Sequence, residues 1–326
     1  MHLLVTGGLG VNGVWVTRCL LERGHVPVVF ENRVDYALIP EAIGDFPVVQ
    51  GDILDTSALE SACRDHGVTR IIHLAALMPS DSQAHLRHGF AVNALGAVNV
   101  FDCAARLGLE RVVFTSSKSA YGRIPEGPHA HPAYVPVRED HPCDPLSAYD
   151  IGKYAPEIMA RNFSSDFGTS ITSLRYGTIY APGKIVRHGR MGLHSRVIEN
   201  AMAGADVIVE SGGDQKDDVM YVLDVAEGTV QAALHEGQVS PVYNIASGTG
   251  VDLKEFCGTL SGVFPDVTYD IGDGLDYLDM GVNYYSVSDI SLARAELNYE
   301  PGFDIARGIR HYVDSMDRIG LKPTVT

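Results

Sequence analysis

The stretch Thr6-Gly7-Gly8-Leu9-Gly10-Val11-Asn12-Gly13 constrains this chain more than any other. It follows a short apolar run, Leu3–Thr6, and leads into Val11–Arg23, whose apolar spacing is helical and which stops at Gly24. A buried strand that turns through glycines into a helix opens a doubly wound α/β fold. Gly7 permits the tight turn, Gly10 lets the backbone approach a pyrophosphate, and Gly13 lets helix and strand pack closely. The helix N-terminus then faces the anion.

The alternation continues along the chain. Val26–Phe30, Val48–Gln50, Arg70–Leu74, Arg111–Thr115, Ser170–Arg175 and Pro241–Ala246 read as strands. Ser57–Asp65, Phe90–Leu107, Tyr149–Phe167 and Val219–Glu236 read as helices. Strands alternating with helices imply right-handed crossovers and a parallel sheet covered on both faces, a Rossmann sheet. Residues 1–175 plus 219–246 are expected to form the nucleotide-binding domain. Residues 176–218 plus 247–326 are expected to form a smaller substrate-binding domain over the carboxyl ends of the strands. Gly122–Pro145, rich in Pro and His, reads as a loop.

Charge and cysteine usage narrow the partners. Acidic residues outnumber basic ones 41 to 25, a net charge of −16. Such a surface repels phosphate backbones and anionic headgroups, so neither nucleic acid nor a membrane is an expected partner, and a small molecule is. The basic cluster Lys184, Arg187, His188, Arg190, His194 and Arg196 stands out against this background. It reads either as solvated surface or as a clamp for a carboxylate or phosphate. The five cysteines are scattered, without a CxxC, which fits reduced thiols in the cytoplasm. No metal site is expected, because His129 and His131 lack a carboxylate or cysteine at ligand spacing. The N-terminus carries no basic signal-peptide region, and no apolar run approaches the roughly 20 residues of a membrane span.

Three features point to nucleotide chemistry. Glu31 ends the second strand, where a carboxylate accepts hydrogen bonds from the adenosine ribose hydroxyls and repels a 2′-phosphate. That favours NAD, although Arg33 nearby is the kind of residue that holds the phosphate of NADP. Gly51-Asp52-Ile53 follows the third strand, with Asp52 placed as a helix cap or an adenine ligand. Tyr149 and Lys153, four apart, share a helix face. A free tyrosine has a pKa of about 10, and a nearby ammonium and a cationic nicotinamide both favour its phenolate. Ser116-Ser117 ends the strand Arg111–Thr115 at the side where ligands bind in this fold.

These residues together resemble the extended short-chain dehydrogenases/reductases, the NAD-dependent epimerase/dehydratase superfamily. The resemblance rests on the glycine-rich start, Glu31, Asp52, His73–Ala76, Asn93 with Gly96, Thr115–Ser117 with Tyr121-Gly122, Tyr149 with Lys153, and Leu174–Tyr176. Ala181–Gly183, Asp218–Ala226, Tyr243–Ala246 and Asp289–Pro301 extend it over nearly the whole chain. It implies Tyr149 as general base and acid, and Lys153 as the residue that lowers its pKa and binds the nicotinamide ribose. Ser117 would hold the reacting oxygen. Gly7, Gly10, Val11, Asn12, Glu31, Asp52, Ile53, Leu74, Ala75, Ala76, Asn93, Tyr149, Lys153 and Tyr176 would line the NAD site. It also implies a homodimer paired through Phe90–Leu107 and Tyr149–Phe167.

The substrate end departs from the pattern. Asp217 stands where family members acting on nucleotide sugars commonly carry a pyrophosphate-binding arginine. Asp273–Tyr285 contains no arginine or lysine, and Thr178 replaces a frequent asparagine. His73–Ser80, Tyr243–Ala246 and Pro265–Asp270 are partly similar to short-chain-type L-threonine 3-dehydrogenases. The resulting expectation is hydride transfer between nicotinamide and a secondary alcohol of a small sugar, sugar acid or hydroxy acid. Ser80, Ser117, Thr178, Arg187 and Arg190 would contact this substrate. The alternative is a sugar or nucleotide-sugar epimerase that retains its NAD. Pro156, inside the helix of Tyr149, is expected to be tolerated as a kink.

Overall fold

The computed structural model describes residues 1–38, 45–185 and 192–325. Its strands are β1 (His2–Thr6), β2 (Val26–Glu31), β3 (Val48–Gln50), β4 (Arg70–His73), β5 (Arg111–Ser117), β6 (Ile171–Tyr176), β7 (Thr178–Tyr180), β8 (Val207–Val209), β9 (Lys216–Tyr221), β10 (Val242–Ile245), β11 (Gly250–Asp252) and β12 (Tyr269–Ile271). Seven of them form one parallel sheet in the order β10-β6-β5-β4-β1-β2-β3.

Side-chain alternation explains why this sheet is covered on both faces. Leu3, Val5, Ile72 and Val113 join one apolar core, whereas Leu4, Ile71, Val112 and Phe114 join another. Successive residues of a strand point to opposite faces, so an unbroken apolar run feeds two cores. Trp15 and Val16 of the helix Gly13–Glu22 and Val225 and Val230 of the helix Val222–Leu234 complete the first core. Leu59, Val100, Phe101 and Phe163 complete the second from the helices Thr56–Asp65, Gly96–Leu107 and Ala148–Phe167. The strand order reverses at β1 and β4, and a crevice opens beyond their carboxyl ends.

Two expectations are corrected. Val219–Tyr221 is not the start of a helix. It ends β9, which pairs with β7 and β11 in a separate three-stranded sheet, and the helix begins at Val222. The β-branched and aromatic residues there favour a strand, and burial in the smaller sheet settles it. The smaller sheet thus takes in Val219–Tyr221, and Tyr176 pairs in the large sheet through β6. The expected helix Phe90–Leu107 begins earlier, at Leu86, and passes through a π-turn at Ala91–Leu95. Among the described residues this stretch, Leu86–Leu107, is long and apolar enough by composition to cross a bilayer. Its second half instead buries Ala97, Val100, Phe101 and Ala104 against the sheet, which makes it a core helix. The helix Ala148–Phe167 continues through Pro156, as expected.

Candidate active site

The glycine-rich loop is shaped by close backbone approach. Gly7 adopts φ +73°, and a Cβ there would lie 2.8 Å from the Ala75 nitrogen. A Cβ on Gly13 would lie 2.0 Å from the Gly7 carbonyl oxygen, so helix and loop meet only without side chains. Asn12, the N-cap of the helix Gly13–Glu22, makes no side-chain cap bond. Amides at a helix start that face a cleft fit an anionic group. Glu31, at the end of β2, accepts a hydrogen bond from the Leu9 amide at 2.6 Å. The carboxylate thus holds the glycine-rich loop against the end of β2.

One cleft of about 1100 Å³ collects the expected residues. Gly7, Gly10, Val11, Asn12, Glu31, Asp52, Ile53, Leu74, Ala75 and Ala76 line it around the glycine-rich loop, and Ser117, Tyr149, Lys153 and Tyr176 line it as well. Ser80 and Thr178 line the far part. Asp52 also accepts from the Leu54 amide at 2.9 Å, closing a local turn. The Tyr176 hydroxyl lies 2.6 Å from Thr229 Oγ1, so only the rest of that side chain faces the cleft. Asn93 is placed differently from the expectation. Its Oδ1 accepts from the Leu77 amide at 2.7 Å, and its Nδ2 donates to the Leu77 carbonyl and to Ser82 Oγ. It is buried behind the cleft wall and pins Leu77, which does line the cleft. Arg187 and Arg190 lie outside the described residues.

Local sequence sets the central trio. Ser147 and Asp150 form a reciprocal capping box that starts the helix Ala148–Phe167 and puts Tyr149 in its first turn. Lys153, one turn on, donates from Nζ to the Thr115 carbonyl at 2.8 Å. Its ammonium stands 5.7 Å from the Tyr149 ring centroid. Burial pushes Lys153 down to about 8. Burial pushes the Tyr149 phenol up to about 12, the Asp150 charge adds to that, and a hydrogen bond with Ser117 opposes it. His73, below the cleft floor, is pushed down to about 3 by burial and by Lys153, so it stays neutral. Among the described residues no three His, Cys, Asp or Glu side chains converge as metal ligands.

The substrate end holds a pair that sequence reasoning missed. The buried carboxylate of Asp217, in β9, forms an ion pair with Lys118 Nζ. It also accepts from Thr178 Oγ1 at 2.5 Å and from the Tyr277 hydroxyl at 3.1 Å. Asp217 is therefore not the isolated repulsive charge that its position suggested. Lys118 directly follows Ser117 at the carboxyl end of β5, the position that this fold turns into its crevice, and that was the available signal. Lys184 lines the same end and donates to the Ile179 carbonyl, with burial pushing it down to about 8. Tyr284, also in the cleft wall, donates to Asp150 at 3.0 Å and links the C-terminal segment to the start of the Tyr149 helix.

Comparison with known proteins agrees with this architecture. A family model described as the NAD dependent epimerase/dehydratase family matches residues 3–246. A putative UDP-glucose 4-epimerase from Methanocaldococcus jannaschii is 27% identical over 322 residues, covering 96% of this chain and 98% of the relative. The structure of a Thermus thermophilus UDP-glucose 4-epimerase in complex with NAD superposes with a TM-score of 0.80 at 26% identity, covering 97% of this chain and 99% of that one. A UDP-glucuronic acid 4-epimerase from Bacillus cereus, solved with UDP-glucuronic acid and NAD, shares the fold with a TM-score of 0.80 at 21% identity, covering 98% and 100%.

Proposed function

The chain belongs to the NAD dependent epimerase/dehydratase family, and from that premise we propose that it is an NAD-retaining 4-epimerase of a UDP-sugar. The observation that carries this reading is the meeting of Ser117, Tyr149 and Lys153 at the centre of a cleft whose other end is a glycine cradle. Binding alone requires no general base. NAD, when bound, supplies the acceptor and later the donor of the hydride. In this reading Tyr149 takes the proton of the sugar hydroxyl and returns it after the intermediate ketone has presented its other face. Ser117 holds the reacting oxygen. Lys153 favours the phenolate through its charge and, through its bond to Thr115, keeps its place in the helix–strand junction.

Two observations favour the epimerase over net oxidation of a small sugar. Full-length relatives carry epimerase names. The small-substrate expectation also rested on a repulsive Asp217, and Lys118 neutralises that charge. Lys184 also lines the cleft, and in this reading its ammonium is assigned to a substrate phosphate. The five free thiols fit a reducing compartment such as the cytoplasm.

The test is incubation of the NAD-loaded protein with UDP-glucose, following sugar configuration by proton NMR and NADH by absorbance. Appearance of the 4-epimer without net NADH is expected. Net NADH formation, or no conversion of any UDP-sugar, overturns the reading.

A further inference from the structure

Asp217 and Lys118 form a bound couple inside the substrate cleft, not at its rim. The two side chains retain only 2% and 15% exposure, and both line the cavity beside Thr178. Three segments hold the couple in place. Lys118 comes from the turn after β5, Thr178 from β7, and Tyr277 from the segment that also supplies Leu278 and Met280 to the cleft wall. The Lys118 ammonium also stands 5.9 Å from the Tyr285 ring centroid. Asp217 Oδ2 takes both hydroxyl donors and Oδ1 takes the ammonium, so the carboxylate is fixed.

A lone lysine in such a wall attracts an oxyanion. A lysine tied to a buried carboxylate presents no net charge. It offers N–H donors beside an oxygen acceptor, which suits a hydroxyl, since a hydroxyl both donates and accepts. A carboxylate placed there has to share the ammonium and approach Asp217, a like charge in a poorly solvated site.

We infer that Asp217 is a specificity-determining residue: by cancelling the charge of Lys118 it makes the sugar pocket select an uncharged hexose over a hexuronate. The inference rests on the reading above, in which the substrate is a nucleotide sugar. The family's arginine at the Asp217 position grips the diphosphate, but Lys118 directly follows Ser117, which in that reading holds the reacting oxygen, so the couple lies beside the sugar, and the diphosphate, which a hexose and a hexuronate nucleotide share, cancels in the comparison.

The experiment compares binding of UDP-glucose and UDP-glucuronate to the NAD-loaded protein by calorimetry, in the wild type, Asp217→Asn and Lys118→Met. The ratio of the two dissociation constants removes whatever the common UDP contributes. The wild type is expected to favour UDP-glucose. Asp217→Asn keeps an acceptor for Thr178 and Tyr277 but frees the lysine charge, and is expected to move the ratio at least tenfold toward UDP-glucuronate. Lys118→Met leaves the carboxylate alone and is expected to move the ratio the other way, which provides a second reading if Asp217→Asn does not fold. A ratio unchanged within twofold in the folded variants overturns the inference, as does any outcome in which no protein distinguishes the two sugars. A wild type that binds neither UDP-sugar overturns the proposed function and the inference with it, whereas a wild type that epimerises UDP-glucose beside variants with an unchanged ratio overturns the inference alone.

Discussion

The Glu157 carboxylate meets the Arg175 guanidinium at 2.6 Å, with the two side chains 0% and 1% exposed. Glu157 also accepts from Ser116 Oγ at 2.5 Å, and Arg175 lies 4.4 Å from the Tyr121 ring centroid and donates to the Glu139 carbonyl. Ser116 precedes Ser117, Arg175 precedes Tyr176, and Glu157 lies one turn beyond Lys153 on the same helix. The pair therefore ties the helix of Tyr149 to the carboxyl ends of β5 and β6, where the reacting residues stand.

Removing one partner of such a pair leaves a buried, uncompensated charge. Glu157→Ala is expected to cost about 3–5 kcal/mol of stability. Thermal and urea unfolding check it, and a midpoint unchanged from the wild type contradicts the role given to the pair.

Tyr149→Phe deletes the proton-transfer group while keeping the ring. It is expected to bind NAD normally and to lose turnover by ~10²–10⁴-fold. Calorimetry with NAD and an epimerisation assay separate the two effects, and near-normal turnover assigns the base elsewhere.

The Asp150 charge helps to hold the Tyr149 phenol high. An anion beside a phenol disfavours the phenolate, so neutralising it lowers the pKa. Asp150→Asn is expected to shift the ascending limb of the kcat/KM pH profile to lower pH, with an amide oxygen still available to the Leu146 and Ser147 amides. A shift to higher pH, or none, counts against the assignment of Tyr149 as base.

Glu31 ends β2, lines the cleft and grips the Leu9 amide. NAD is expected to bind more tightly than NADP by roughly tenfold or more, ~1.4 kcal/mol. Competition between the two dinucleotides measures it. A preference for NADP promotes Arg33 to the selecting residue.

Phe90, Leu95, Ile151, Ile158 and Met159 are exposed on two neighbouring helical segments, Leu86–Leu107 and Ala148–Phe167. An apolar face of this kind, on the helices that the family resemblance names, is expected to pair two copies. Light scattering at micromolar concentration is expected to give twice the 35.2 kDa of one chain, and Phe90→Glu to give one chain. A wild-type monomer refutes the pairing.

The sequence by itself determined the parallel sheet, the glycine cradle, Glu31 at the end of β2 and the spacing of Tyr149 and Lys153. Each is written within a few consecutive residues: apolar runs make buried strands, glycines mark close backbone approach, and a four-residue step fixes a shared helix face. The tertiary structure alone decided that Val219–Tyr221 is strand, that Asn93 braces Leu77 behind the cleft wall, and that Asp217 is neutralised by Lys118. Lys118 and Asp217 are 99 positions apart. A charge read in isolation has a sign but no partner, and only the packing of β7, β9 and the turn after β5 into one wall gives it one.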